Sequence, residues 1–502
     1  MKYTPKIGME IHIQPKTNSK MFCACANEFN VSEPNKNICE ICTGQPGTMP
    51  YINETAVAAT IKAGLALDCS INSLVHWDRK HYFYPDLPKG YQITQNDMPI
   101  AVNGRLEFEY TDEQGAMQSK SVRINRLHLE EDAGKDVHPK GVQYSLIDYN
   151  RAGAPLIELV TEPDIESKEQ AAAFCRHLQQ IFRYIRVSDA DMEKGQMRCE
   201  VNISLGANGK DGTKVEVKNI NSFKGVTRSI EYEIARQKDL LDRGEKIKQE
   251  TRGWNADKQK TIAQRSKEEA QDYRYFPEPD LPPVNITEEW KSIVAKSIPE
   301  LPGQKKQRFI EEYKIPGEQA GVLTLDVDVA NFFDAVCSEI CSWEEAKDLQ
   351  STPKETGKRQ LKAIKLAANY ITTELTRMAA KNGLAFKDIK ITAENFAELM
   401  SIVERKEINS SAAQAVLVEM FATGGDPSQI IAVKNLGLVQ DGDFVESAVN
   451  EVLGNNQKAV TDYRGGKEQA LQFLVGQVMA KTKGKIDPGV AREMISKKIS
   501  RS

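Results

Sequence analysis

Ile7, Met9, Ile11 and Ile13 alternate with Gly8, Glu10, His12 and Gln14. That two-residue period predicts a strand with its apolar face in a core and with Glu10 and His12 together on the other face. The alternation returns in residues 122–135 (VRINRLHLEEDAGK), 198–205 (RCEVNISL) and 214–223 (KVEVKNINSF). Residues 146–163 (LIDYNRAGAPLIELVTEP) read as strand, turn, strand, with the Gly and Pro of RAGAP in the connection and with Asp148 and Glu158 inside the apolar runs. Helical spacing follows at 167–186, where Ser167 is the cap, Glu169 lies in the first turn, and Phe174, Leu178, Ile181 and Phe182 fall along one side. A second helix is predicted at 227–243. The proline-rich stretch 272–284 (DYRYFPEPDLPPV) reads as an extended segment closing this part of the chain.

After residue 284 the pattern changes to helices. Leu361, Ile364, Leu366, Ala368, Ile371, Leu375 and Met378 predict a helix over 359–382 that stops at Gly383, and shorter ones follow at 393–403, 410–422 and 466–482. Strands with irregularly inserted helices and no βαβ rhythm predict an α+β fold with a mixed or antiparallel sheet, followed by an all-helical region. The expected division is 1–284, 285–391 and 392–502.

Composition narrows the function classes. A chain of 502 residues suggests about three domains. A net charge of −4 does not suit a globally basic nucleic-acid binder. There is no signal-peptide pattern and no apolar run long enough to span a bilayer. The nine cysteines are an odd number and four of them cluster, which fits a reducing, cytoplasmic setting better than a disulfide framework. Phosphate loop, dinucleotide fingerprint, nucleophile elbow and protein-kinase motifs are all missing. If the chain uses ATP, it holds the phosphates through a metal and basic side chains on a sheet.

Four features carry candidate chemistry. Cys23, Cys25, Cys39 and Cys42 have the paired spacing of a tetrahedral sulfur site; zinc fits better than an iron–sulfur centre, and unliganded thiols are the alternative. Glu10, His12 and Glu158, with either Glu130 or Glu131, form an oxygen-rich set suited to magnesium. A strand through residue 129 places Leu127, Leu129 and Glu131 on one face and His128 with Glu130 on the other. For Glu158 the alternatives are a solvated edge or a pair with Arg151. Residues 78–95 (DRKHYFYPDLPKGYQITQ) suit a binding loop with Arg79, Lys80 and Lys89 available to phosphates, or a packed surface loop. From 458 to 502, ten basic residues, including Lys467, Lys481, Lys483 and Lys485, face four acidic ones, a local excess that suits RNA phosphates or a solvated tail.

The run IDYNRAGAPLIELVTEP resembles the B subunit family of the aspartyl/glutamyl-tRNA(Asn/Gln) amidotransferases. The likeness continues through IGMEIHIQ, RKHYFYPDLPKGYQITQ, RLHLEEDAGK, RCEVNISL, KNINSF, DYRYFPEPDLPP and DYRGGKEQALQFLVGQVMAKTKGK, and so covers essentially the whole chain. It implies a cradle domain with a fold like the catalytic domain of glutamine synthetase. Within it Mg²⁺ is held by Glu10, His12, Glu131 and Glu158, and Cys23, Cys25, Cys39 and Cys42 form a structural zinc site. A helical tail holds tRNA. The implied reaction is ATP-dependent phosphorylation of the side-chain carboxylate of Glu on tRNA(Gln) or Asp on tRNA(Asn), followed by amide formation. Ammonia for that step comes from a separate amidase (A) subunit, braced by a small C subunit in a heterotrimer. A non-catalytic tRNA-binding scaffold is the rival reading. The sequence departs from the family's usual residues at His81, Gln264 and Gln271, and it lacks the extra domain of the archaeal paralogue.

Overall fold

β1 (Tyr3–Ile13) runs through the interior of a nine-stranded sheet, and its alternation explains the architecture around it. Ile7, Met9, Ile11 and Ile13 are fully buried, each worth about 1.5–3 kcal/mol on removal from water. The remaining strands of this part are β2 (Ser70–Ile71), β3 (Leu74–Val75), β4 (Asp78–His81), β5 (Tyr91–Thr94), β6 (Ala101–Thr111), β7 (Met117–Glu131), β8 (Lys135–Val137), β9 (Leu146–Asp148), β10 (Pro155–Thr161), β11 (Met197–Ala207), β12 (Val215–Ile220), β13 (Glu250–Asn255), β14 (Lys260–Ser266), β15 (Arg274–Pro277) and β16 (Val284–Asn285). The large sheet has the order β14-β13-β12-β11-β1-β10-β7-β6-β2. Its named pairings are antiparallel except β12 with β13, so the sheet is mixed, as expected for an α+β fold. The computed structural model describes residues 3–28, 31, 33–139, 141–207, 212–266, 273–347, 352–438, 442–482 and 484–501.

Helices α1 (Glu54–Ala66), α2 (Lys168–Tyr184) and α3 (Phe223–Asp242) join the apolar side chains of the sheet in one core. The expected helix at 167–186 forms because Ser167 accepts a hydrogen bond from the Gln170 amide at 3.2 Å and because Phe174, Leu178, Ile181 and Phe182 are all buried. Ser222 caps α3 in the same way at 3.0 Å from the Gly225 amide, so the helix begins at Phe223, four residues before the expected start at 227.

The proline-rich stretch 273–284 is more than a closing strap. β15 lies antiparallel on β4, which pairs with β5 in a second small sheet, so Arg274 faces His81 and Phe276 faces Arg79. β16 pairs with β3, and Val294 of α4 (Glu288–Lys296) enters the same core. The first compact unit is therefore Met1–Gly303, beyond the expected end at 284.

The second unit, Gln304–Ser502, is helical: α5 (Pro302–Tyr313), α6 (Gly317–Leu323), α7 (Val327–Lys347), α8 (Pro353–Tyr370), α9 (Thr376–Lys381), α10 (Ala393–Glu404), α11 (Ser410–Thr423), α12 (Pro427–Lys434), α13 (Gly442–Asn455), α14 (Gln457–Arg464), α15 (Glu468–Lys481) and α16 (Pro488–Arg501). The helix expected over 359–382 begins earlier, at Pro353, where Thr352 and Glu355 form a capping box. It is then interrupted by a π turn, Ile371–Leu375. The hydroxyls of Thr372, Thr373 and Thr376 bond back to carbonyls four residues earlier, at 2.8, 2.8 and 3.0 Å. The run ends at Gly383, whose φ of +64° suits glycine. α10 packs on α7 and α8, so the boundary expected at 391 falls within one packed group. α13 to α16 bury a separate core around Val449, Leu474, Val478 and Ile495. Among the described residues no helix is long and apolar enough to cross a membrane.

Candidate functional site

The face of β1 opposite the core carries Glu10 and His12, and the register of neighbouring strands decides what meets them. His12 lies opposite Glu158 of β10 on one side and opposite Arg198 of β11 on the other. Glu158 lies in turn opposite His128 of β7. Side chains two residues apart on a strand share a face, so this register collects Glu10, His12, His128, Glu130, Glu158, Arg198 and Glu200 on one surface.

His12 Nε2 is 3.3 Å from Glu158 Oε2 and 4.0 Å from both Glu10 Oε1 and Glu130 Oε1. His128 Nε2 is 3.1 Å from the same Glu158 oxygen and 3.4 Å from Glu130 Oε2. Donor atoms of Glu10, His12 and Glu158 all lie within 4.8 Å of one another, and so do those of His128, Glu130 and Glu158. Glu158 belongs to both groups. Carboxylate oxygens with imidazole nitrogen suit a divalent cation, and three carboxylates with one imidazole fit magnesium.

Burial pulls the His12 imidazole down, but the hydrogen bond and charge of Glu158 outweigh it and push it up to about 9. His128, buried likewise, is pushed up to about 10 by the charge of Glu158 and the hydrogen bond to Glu130. Burial would raise Glu158, yet the charge of His128 and the His12 hydrogen bond hold its carboxyl well below the usual range. Glu10 lacks such close cationic support. Burial, then the charges of Glu158 and Glu200, push it up to about 7.

Glu131 does not join this group. Strand alternation turns it to the opposite face of β7, where Lys89 Nζ lies 2.5 Å away and the Ile93 amide donates to Oε1 at 2.9 Å. Glu130 occupies the place among the carboxylates, with Thr94 Oγ1 donating to it at 2.7 Å. Glu158 is not on a solvated edge, and Arg151 pairs elsewhere, with Asp132 at 3.4 Å and with the carbonyls of Ala133 and Gly134.

The three basic candidates differ in what they already hold. Arg79 is clamped by Glu278, each contact at 2.7 Å, and its guanidinium lies 4.5 Å from the Tyr91 ring centre. Lys89 holds Glu131. The Lys80 ammonium lies 5.0 Å from the Tyr273 ring centre and 5.8 Å from that of Tyr82, and it has no ion-pair partner within 4 Å among the described residues. Burial pulls its ammonium down, but the charges of Glu130, Tyr275 and Glu158 raise it overall. His81 stacks on Phe276 with ring centres 4.7 Å apart.

The four cysteines converge, with their sulfurs all within 4.8 Å of one another. That fits a tetrahedral zinc with Zn–S bonds of about 2.3 Å. The Cys39 amide points at Cys42 Sγ at 3.2 Å, and the buried Lys20 ammonium lies 3.8 Å from it. The Cys42 thiol is lowered to about 5, first by its hydrogen bond with Cys23. This loop is tied to the turn before β10: the amide of Asn37 bonds Asn150 Oδ1 at 2.8 Å and that of Tyr149 bonds Asn35 Oδ1 at 2.7 Å. Gly153, at φ +83°, packs where a Cβ would lie 3.3 Å from Cys42 Cβ.

In the tail, Lys467 pairs with Asp462 at 2.9 Å and Lys481 pairs with Glu451. Lys485 has no ion-pair partner among the described residues. Lys483 and Gln271 lie outside the described residues, while Gln264 sits in β14.

Sequence reasoning passed over Arg198, Glu200, Glu216 and Lys218. The alternation of RCEVNISL and KVEVKN already places each pair on one face, but which sheet face they join depends on register. Lys218 pairs with Glu200 at 2.8 Å and with Glu216 at 3.2 Å, beside Glu10.

Comparison with known proteins places the whole chain in one family. Residues 5–292 match the GatB/GatE catalytic domain and residues 354–499 match the GatB domain. The chain is 45% identical over 504 residues to the B subunit of the aspartyl/glutamyl-tRNA(Asn/Gln) amidotransferase of Clostridium beijerinckii, covering 100% of both chains. It is 42% identical to the protein of the same name from Carboxydothermus hydrogenoformans, with 100% of this chain and 99% of the relative covered. For Thermotoga maritima the figure is 43% over 503 residues, with 99% of each covered. The chain belongs to the B subunit family of the aspartyl/glutamyl-tRNA(Asn/Gln) amidotransferases.

Proposed function

We propose that this chain is the carboxylate-activating component of a tRNA-dependent amidotransferase, using ATP to phosphorylate the side chain of Glu on tRNA(Gln), of Asp on tRNA(Asn), or of both. The observation that carries this reading is the convergence of Glu10, His12, His128, Glu130 and Glu158 on one polar sheet face, with the Lys80 ammonium nearby and without an ion-pair partner among the described residues. Glu10, His12, Glu130 and Glu158 would hold Mg²⁺, which when bound offsets phosphate charge. Glu131, the residue the family resemblance points to, acts instead through Lys89.

The chain's own residues bring the reactants together. Lys80 meets the phosphate chain as a point charge. Arg79, held by Glu278, stiffens the strand that carries Lys80. A carboxylate oxygen of the aminoacyl group attacks the γ-phosphorus, the bond to the β–γ bridging oxygen breaks, and ADP leaves with the electron pair. Ammonia then attacks the acyl carbon, the carbon–oxygen bond to phosphate breaks, and the proton lost from nitrogen leaves with phosphate. The driving logic is leaving-group chemistry: a free carboxylate does not react with ammonia, and an acyl phosphate does.

The ammonia comes from an amidase (A) subunit, and a small C subunit completes a cytoplasmic heterotrimer. Zn²⁺ in the four-cysteine site is structural, since four protein sulfurs leave no open position. The basic tail holds the outer body of the tRNA. Its surface ion pairs, Lys467 with Asp462 and Lys481 with Glu451, are weak enough to exchange for phosphates.

Replacing Glu158 with Gln tests this reading against the tRNA-binding scaffold. ATP cleavage driven by charged tRNA should be lost while tRNA affinity is kept. Cleavage at the parent rate would leave the scaffold.

A further inference from the structure

Arg198 combines three properties that its contacts inside the chain do not account for. It stands on β11 as the register partner of His12, so its side chain leaves the sheet on the face that carries the carboxylates and histidines. Its Nη2 donates to Asp132 Oδ2 at 2.8 Å. Its Nε is buried and, among the described residues, has no hydrogen-bond partner.

Asp132 does not absorb the rest of that guanidinium. The same Asp132 oxygen also accepts from Gln14 Nε2 at 3.1 Å and lies 3.4 Å from Arg151 Nε, while its other oxygen accepts from the Ala133 amide at 2.9 Å. Asp132 is thus a crowded anchor that fixes one edge of Arg198. An orphaned buried N–H costs on the order of 1–3 kcal/mol unless something satisfies it. About a third of the Arg198 side chain, 32%, is exposed although its Nε is buried, so the side chain is partly accessible from the sheet face.

The group that would satisfy it is an oxyanion. Arg carries five N–H donors in a planar fork that matches the oxygens of a phosphoryl group, and it cannot lose its charge. Lys218, the next cation along the face, is consumed by Glu200 and Glu216.

We propose that Arg198 is a catalytic residue of the phosphoryl transfer, donating its free N–H groups to the oxygens of the γ-phosphoryl group as it passes from ATP to the aminoacyl carboxylate. This rests on the carboxylate-activation reading above. Asp132 is the positioning residue that sets the plane of the fork. As charge spreads over the equatorial oxygens in transfer, a preorganised donor gains strength there and raises kcat more than it tightens ATP binding.

The test uses the full chain purified with its partner subunits, and reads ADP release with Mg-ATP, ammonium chloride and charged tRNA. Arg198→Lys keeps the charge and loses the fork, and Arg198→Ala with added guanidinium ion restores the missing group in solution. The expected result is a fall in kcat of about 10²–10³ in both variants, with the KM for ATP changed less than about fivefold, and partial recovery of the Ala variant by guanidinium. Should the Ala variant fail to fold, the kcat of Arg198→Lys alone decides. A kcat for Arg198→Lys within about threefold of the parent overturns the proposal, because a residue that only neutralises Asp132 tolerates lysine. Parent protein that releases no ADP with charged tRNA defeats the activation reading itself, and is distinguished from the first failure by the parent control.

Discussion

His12 and Glu158 are register partners across β1 and β10, and His12 Nε2 lies 3.3 Å from Glu158 Oε2. The pair sits at the centre of the candidate site because Glu158 also faces His128, at 3.1 Å, across its other edge. One carboxylate thus holds two imidazoles.

The two neighbouring glutamates of β7 separate cleanly in their consequences. Glu130→Gln should weaken Mg²⁺ binding by more than about tenfold, since a ligand oxygen becomes an amide. Glu131→Gln should leave Mg²⁺ binding within about threefold and instead release Lys89. Isothermal titration with Mg²⁺ on both variants checks this, and the reverse order would put Glu131 back among the ligands.

Metal binding should grow stronger as pH rises. The Glu10 carboxyl is pushed up to about 7, chiefly by burial and then by Glu158 and Glu200, and His12 is pushed up to about 9, burial being outweighed by Glu158. Both must release protons to bind a cation, so affinity increases as pH passes through these values. The rise in Tm on adding Mg²⁺ should accordingly be larger above about pH 8 than below about pH 6. A shift independent of pH would contradict the proton-linked site.

Gly153→Ala should destabilise the first unit by about 1–2 kcal/mol, because a left-handed backbone disfavours a Cβ. The position has φ +83°, and the new atom would stand 3.3 Å from Cys42 Cβ. Thermal denaturation measures the cost, and zinc content should fall with it because the turn and the four-cysteine loop share this contact. Unchanged stability and zinc content would mean that the loop and the turn are independent.

Much of the site could be read before folding. The alternation around Glu10 and His12 gave both the buried face and the polar one, and the Gly and Pro of RAGAP gave the turn that positions Glu158. Choosing between Glu130 and Glu131 was within reach of the two-residue period, which grouped His128 with Glu130; family likeness pointed to Glu131, and the strand's pleat turned that residue away. Arg198 and Lys218 stayed hidden because local alternation does not say which distant strands pair, and register alone brings β11 beside β1. The availability of Lys80 was equally nonlocal: Arg79 is taken by Glu278, which lies far along the chain. In the helical unit, periodicity found the long helix at 359–382, while the π turn at Ile371–Leu375, where threonine hydroxyls bond back to carbonyls, leaves no mark in a hydrophobic pattern.

The measurement that bears most directly on carboxylate activation is ADP release by the chain with its accompanying subunits, given Mg-ATP, ammonium chloride, and tRNA that is uncharged or charged with Glu or Asp. Release that requires the charged tRNA is the predicted result, and the amino acid that supports it identifies the substrate. Release at the same rate with uncharged tRNA, or none with the amidase partner present, would contradict the account.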